Sequence, residues 1–262
     1  AHMGGMLTPV LILMLYYVRK SQYWMWALII CMFIVQFLYM VKGHIIITIV
    51  AALLMRLYAQ KMRLSLTFIL MIVAGAIFIF FMTYMIIPML GDDQYASMNQ
   101  VEFVMRHILH YFTSGTLGWS YDLDQGIPDR NDFDTIITPF LNIANALSGD
   151  KIISPINPIY WNTGINYTNV RTFFGTLYIY SDNLEFAVYT LMVSSIIYAI
   201  RALAVTTSNV YAYIVHFYYC GLMAMGWFEF YLFHLPVIEI PVVTVLLHIL
   251  TQGYQTKDEA IV

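Results

Sequence analysis

Arg106 and His110 stand four residues apart in Glu102–Phe112 (EFVMRHILHYF), with His107 beside them. On a helix, that spacing puts the arginine and His110 on one face. Such a set suits anion recognition coupled to proton transfer. A guanidinium donates two charge-assisted hydrogen bonds to a phosphate through its planar fork. An imidazole accepts a proton near neutral pH. A plainer reading pairs Arg106 with Glu102 at i−4 and leaves the histidines lining an interface. His107 and His110 with Asp122 and Asp124 form a conceivable metal set, but no HExxH stretch or Cys–His cluster accompanies them.

Three other places hold charges that need a reason. Arg171 sits in Asn169–Asp182 (NVRTFFGTLYIYSD), between an asparagine and two phenylalanines, where a lone cation needs an anionic partner. Asp182 or Ser181 is placed to cap the helix that follows. Lys42-Gly43-His44 opens an apolar run on the side away from the main basic cluster, where the lysine either holds a phosphate or simply snorkels. Glu229 and Glu239 flank a turn that contains His234, and acids near a membrane are functional candidates. His216 and His248 lie in apolar runs and read as packing or interhelical bonds.

The elements that position these residues follow from composition. Of 262 residues, 61% are hydrophobic and 10% charged, far from the ~45–50% and ~25% of a soluble domain. Tyr23–Val41, Leu64–Leu90 and Ala202–Phe228 contain no Asp, Glu, Lys or Arg.

 Runs of this length reach the ~20 residues a helix needs to cross a bilayer. The composition excludes a soluble enzyme, a disordered chain, a collagen-like chain and a disulfide scaffold. A net charge of −3 without a basic patch leaves no nucleic-acid partner. Cys31 and Cys220 lie in apolar runs and form no framework.

The expected fold is an all-α integral membrane bundle of about seven spans. The segments are Leu7–Val18, Tyr23–Val41, Ile45–Tyr58, Leu64–Leu90, Leu184–Ile200, Asn209–Phe228 and Leu235–Leu250. The third is short, and gains length if Arg56 snorkels; a re-entrant third segment is the alternative. Arg19-Lys20, Arg56/Lys61/Arg63, Arg201 and Lys257 then share one side, which the positive-inside bias makes cytoplasmic. Residues 1–5 read as the remnant of a cleaved tag, 6–90 as four spans, 184–251 as three and 252–262 as a cytoplasmic tail. The chain start falls outside, so N-terminal spans are expected to be missing.

Residues 91–183 form the expected extracytoplasmic segment. They hold ten of the fifteen acids and four of the twelve Lys/Arg: Arg106, Arg130, Lys151 and Arg171. A connection this long is usually functional or disordered, and its aromatic density argues for order. Glu102–Phe112 and Asp134–Ala146 are predicted to be short helices, separated by turns at Ser114-Gly115, Asp150-Lys151, Ser154-Pro155, Asn157-Pro158 and Asn162-Thr163-Gly164.

Taken in order, these features resemble a known family. They are Lys42-Gly43-His44-Ile45 opening a short helix, the basic end at Arg56, Lys61 and Arg63, and a long apolar segment. Tyr111-Phe112-Thr113-Ser114-Gly115 follows, then Asn169-Val170-Arg171-Thr172-Phe173-Phe174 and Tyr178 before the next span. The pattern is similar to the C-terminal half of the O-antigen polymerase (Wzy) family, over about residues 23–250. The chain has fewer spans than the ten to fourteen usual there, and Lys-Gly-His replaces the family's basic Ser-Arg or Gly-Arg turn.

The resemblance implies a metal-independent, cofactor-free membrane glycosyltransferase of GT-C type in a bacterial inner membrane. It would polymerise undecaprenyl-pyrophosphate-linked repeat units of a surface polysaccharide, as O-antigen of lipopolysaccharide or as capsule. A polysaccharide co-polymerase that regulates chain length and the membrane lipid are the implied partners. An acceptor hydroxyl attacks the anomeric carbon while pyrophosphate leaves, which calls for preorganised cations and a base. The implied pyrophosphate ligands are Arg171, Arg106, Lys42 and Arg130. His107 and His110 are the implied bases, with Asp122 behind them, and Trp119, Tyr121, Tyr160 and Trp161 the implied sugar platforms. The alternatives are a ligase sharing the donor chemistry, a transporter or flippase of lipid-linked sugar, and a non-catalytic scaffold.

Overall fold

The computed structural model of the protein describes residues 6–38, 42–61, 65–67, 70, 74, 100–126, 132–154 and 159–252. The described chain is all-α apart from one small ribbon. Among the described residues nine α-helices run in order: α1 (Thr8–Tyr17), α2 (Tyr23–Leu38), α3 (Lys42–Tyr58), α4 (Gln100–Gln125), α5 (Thr138–Ser148), α6 (Phe173–Tyr180), α7 (Asn183–Thr207), α8 (Val210–Ala224) and α9 (Pro236–Thr251). The ribbon pairs Trp161–Asn162 (β1) with Tyr167–Thr168 (β2) antiparallel, around a turn whose Gly164 has φ +78°.

Local sequence explains most helix boundaries. Asp182 accepts from the Glu185 amide while Glu185 reaches back to the Asp182 amide, a capping box that satisfies two otherwise open donors at the start of α7. Asn209 and Thr172 cap α8 and α6 more simply, each side chain accepting from one amide, of Tyr211 and Gly175 respectively. Gly149, at φ +80°, ends α5 in the left-handed conformation glycine adopts without steric cost.

Helix α8 lies at the centre, packed most extensively on α3 and α7 and also touching α9 and α1. Its burial runs round the whole circumference, from Val210 to Leu222. Helix α8 runs opposite to both α3 and α9. Tyr58 at the end of α3 meets Tyr213 at the start of α8, Tyr211 meets Thr251 at the end of α9, and Gly43 at the start of α3 meets Tyr231 beyond α8. Arg56 donates to the carbonyls of Leu15 (2.7 Å) and Val18 (3.2 Å), closing the C-terminus of α1. Lys61 lies 3.9 Å from the Tyr16 ring centroid. Arg56 is thus an interhelical clasp, where the sequence suggested a snorkelling end.

The outward faces are apolar. Helix α7 is 25 residues long with only 11% of its apolar window buried, and exposes Leu184, Val188, Leu191, Met192 and Ile196. It is the one described helix long and apolar enough to cross a membrane; α1, α2, α3, α8 and α9 are shorter apolar helices. The predicted fourth segment, Leu64–Leu90, lies almost wholly outside the described residues, as does the tail beyond residue 252.

Residues 100–126 depart from the expected pattern. One continuous helix, α4, replaces a short helix and a turn at Ser114-Gly115. Gly115 and Gly118 are points of close approach: a Cβ on Gly118 would meet the Val170 carbonyl oxygen at 2.5 Å, and one on Gly115 would overlap the Phe228 carbonyl oxygen. Gly115→Val and Gly118→Val are each expected to destabilise the fold by about 1–3 kcal/mol through overpacking. Thermal unfolding of the purified protein reads this as a lowered midpoint; unchanged midpoints in both variants would refute the close packing of α4.

Candidate functional site

Arg171 and Asp122 form a buried ion pair. Arg171 is 2% exposed and Asp122 0%. Nε of Arg171 donates to Asp122 Oδ2, and Nη2 donates to Oδ1 at 2.9 Å. The remaining donors reach the carbonyls of Val170 (3.3 Å) and Ile159 (3.4 Å). Trp161 Nε1 adds a bond to Asp122 Oδ1 at 2.5 Å. Nearby, burial pushes the Tyr180 phenol up to about 12, Arg171 opposing that shift and the charges of Asp122 and Asp132 adding to it.

This geometry revises the expected roles. The Arg171 fork already grips a carboxylate and faces no solvent. Asp122 does not stand behind the histidines, because α4 carries it 12 residues beyond His110, about 18 Å along the axis at ~1.5 Å per residue. Arg106 takes the plainer of its two readings, an exposed i,i+4 pair with Glu102 at 3.1 Å. Arg130 lies outside the described residues, as does the side chain of Lys42, whose backbone opens α3. The aromatics are divided: Trp161 stacks on Tyr121 at 6.3 Å, Trp119 packs on Gly175, and Tyr160 is exposed.

His107 Nδ1 lies 2.9 Å from the Phe103 carbonyl, so the neutral ring donates there and keeps Nε2 as its acceptor nitrogen. Burial and the neighbouring His107 lower the pKa of His110 from its ordinary value. His110 meets Tyr111 edge-on at 6.0 Å, and Tyr111 stacks on Phe228 at 5.2 Å. Through Tyr111, α4 touches the turn after α8.

That turn holds a titratable cluster. His234 Nε2 lies 3.4 Å from Glu229 Oε1, with 28% and 27% of the two side chains exposed. Tyr231 stands between His234 (ring centroids 5.9 Å) and the buried His44 (6.4 Å). Burial first, then the Glu229 charge, raises the Tyr231 phenol far above its ordinary pKa. Gly43 makes room for this arrangement, since a Cβ there would overlap the Tyr231 hydroxyl. The sequence placed Glu229 and His234 near one turn and Lys42-Gly43-His44 at one helix start; their meeting at Tyr231 is a contact between residues about 190 apart in sequence.

A family model described as a family of unknown function (DUF6337) matches residues 1–256. The chain belongs to that family. No curated protein and no solved structure matches it. In this family member the two polar centres are therefore read from their own geometry.

Two outcomes follow. Asp122→Leu or Arg171→Met alone is expected to cost about 3–5 kcal/mol by stranding a buried charge, whereas the double variant recovers most of that loss; denaturant unfolding of all four proteins measures the cycle, and additive losses would refute the pair. His110 is harder to protonate folded than unfolded, so its contribution to stability is present above the unfolded value of about 6.5 and is lost as pH falls through its lower folded pKa. His110→Asn should flatten that part of the stability–pH curve; an unchanged curve would exclude the effect.

Proposed function

We propose that the chain is a polytopic bundle of a bacterial inner membrane that polymerises lipid-pyrophosphate-linked oligosaccharide units. Supporting the membrane placement, the exposed faces of α2, α7 and α9 are apolar. Patches of that extent mark membrane or protein contacts. Arg19, Lys20, Arg56 and Lys61 gather at the end where α1 and α3 finish, in accord with a cytoplasmic assignment.

The observation that carries the catalytic reading is the Glu229–His234 pair, which lies at the opposite end of the bundle and is accessible to water. A carboxylate beside an imidazole orients it for proton transfer, as a general base requires. In this reading His234 takes the proton of the acceptor hydroxyl as it attacks the anomeric carbon, and Glu229 stabilises the resulting imidazolium. The N-terminus of α3 carries the positive end of a helix dipole, a setting for the departing pyrophosphate. Arg106 is the further accessible cation. His107 and His110 become secondary candidates for the base.

His234→Gln and Glu229→Gln are each expected to slow chain extension about 10²–10⁴-fold, with membrane insertion unchanged. The assay follows extension of undecaprenyl-pyrophosphate-linked repeat units in membranes carrying each variant. Wild-type polymer length in both variants would sink the assignment of the base. Loss of lipid-linked sugar translocation with polymerisation intact would favour the transporter.

A further inference from the structure

A lateral groove of about 800 Å³ opens between α7, α8 and the segment 172–174. Val193, Ile197 and Met223 form its apolar walls. Trp119 and Trp227 stand at one end, Arg201 and His216 at the other. Along α7 the lining runs from Thr190 to Arg201, 11 residues, or about 16 Å at ~1.5 Å per residue. That is about half of the ~30 Å hydrocarbon core of a bilayer.

Arg201 gives the groove its polarity. The side chain is exposed, and none of the ion pairs among the described residues includes it. It lies six residues before the end of α7, within reach of the interface for a long side chain that extends its charge toward water. An isolated cation beside an apolar channel complements an amphiphile with an anionic head and a hydrocarbon tail. His216 lies beside Arg201 on the groove wall and is 9% exposed.

We propose that this groove binds a membrane phospholipid, with its phosphate on Arg201 and one acyl chain lying between α7 and α8. The inference rests on the membrane reading but not on the catalytic one. The occupant is a bilayer lipid at the basic end of the bundle, away from the Glu229–His234 pair.

The test uses the full chain in nanodiscs of phosphatidylethanolamine and phosphatidylglycerol, doped with a phosphatidylglycerol carrying a diazirine on its acyl chain. Adducts are mapped by peptide mass spectrometry. Labelling is expected to concentrate on Val193, Ile197 and Met223. Arg201→Gln should lower it about tenfold, equivalent to ~1.4 kcal/mol of binding. Ser194→Trp, which fills the groove, should abolish it while helicity by circular dichroism stays that of wild type. A diazirine fatty alcohol without phosphate should label the groove no better than Arg201→Gln does with the lipid.

Groove labelling indifferent to Arg201→Gln, or equal labelling by the alcohol, would overturn the proposal. So would adducts confined to the outward face at Leu191 and Met192, which would leave the membrane reading standing. No adduct anywhere on the chain would overturn both.

Discussion

The ion pair of Asp122 with Arg171 fixes how α4 sits on the rest of the molecule. Removing both charges from water costs several kcal/mol per ion, so the pair holds only because its hydrogen bonds are nearly complete. The planar fork also sets register, since a carboxylate meets it in one orientation. With Arg171 held, Thr172 N–H reaches the Gly115 carbonyl at 3.4 Å and Phe173 N–H reaches the Gly226 carbonyl at 2.6 Å. The same segment therefore grips α4 on one side and the end of α8 on the other. The turn bearing Glu229 and His234 begins three residues later, and its placement inherits that grip.

The apolar bundle achieves specificity with few polar contacts. Thr8, Gln36 and Thr48, all fully buried, meet where α1, α2 and α3 cross, with Gln36 donating to Thr8 at 3.2 Å. If lipid surrounds the bundle, apolar burial does little to distinguish one helix neighbour from another. Close backbone approach and interhelical hydrogen bonds then choose the neighbours. Gly115 and Gly118 supply such an approach for α4, and the Arg56 clasp supplies such a bond for α1 and α3.

Six of the apolar segments were legible because a run of uncharged residues with caps at its ends needs no partner to be read as a helix. The ends agree within four residues except that α7 runs seven residues past the expected Ile200, to Thr207, and the Asp182 cap is local. Residues 113–125 were misread for a physical reason. Ser-Gly punctuates a turn in an exposed chain, but in α4 it is the surface on which other backbones rest. Arg171 was recognised as needing an anion, while the anion itself, Asp122, lies 49 residues away and was given a different role. Local spacing carries no sign of such a contact.

Arg106 and Arg171 show why the local view fails for the site as well. Both stand among aromatic and apolar residues in the acid-rich segment, yet one is exposed to solvent and the other is sealed. A sealed arginine is out of a ligand's reach and acts by shaping the backbone. What chemistry asks for is a group that is positioned and still reachable, and the turn after α8 meets both conditions. Glu229 and His234 are each about one-quarter exposed, and the Tyr231 phenol between His234 and His44 stays protonated. Glu229 lies beside His234, and the buried His44 packs against the same Tyr231 ring. The start of α3 carries the positive end of a helix dipole where Gly43 lies against Tyr231. Negative and positive potentials thus flank one small region, an arrangement suited to separating a proton from an anionic leaving group.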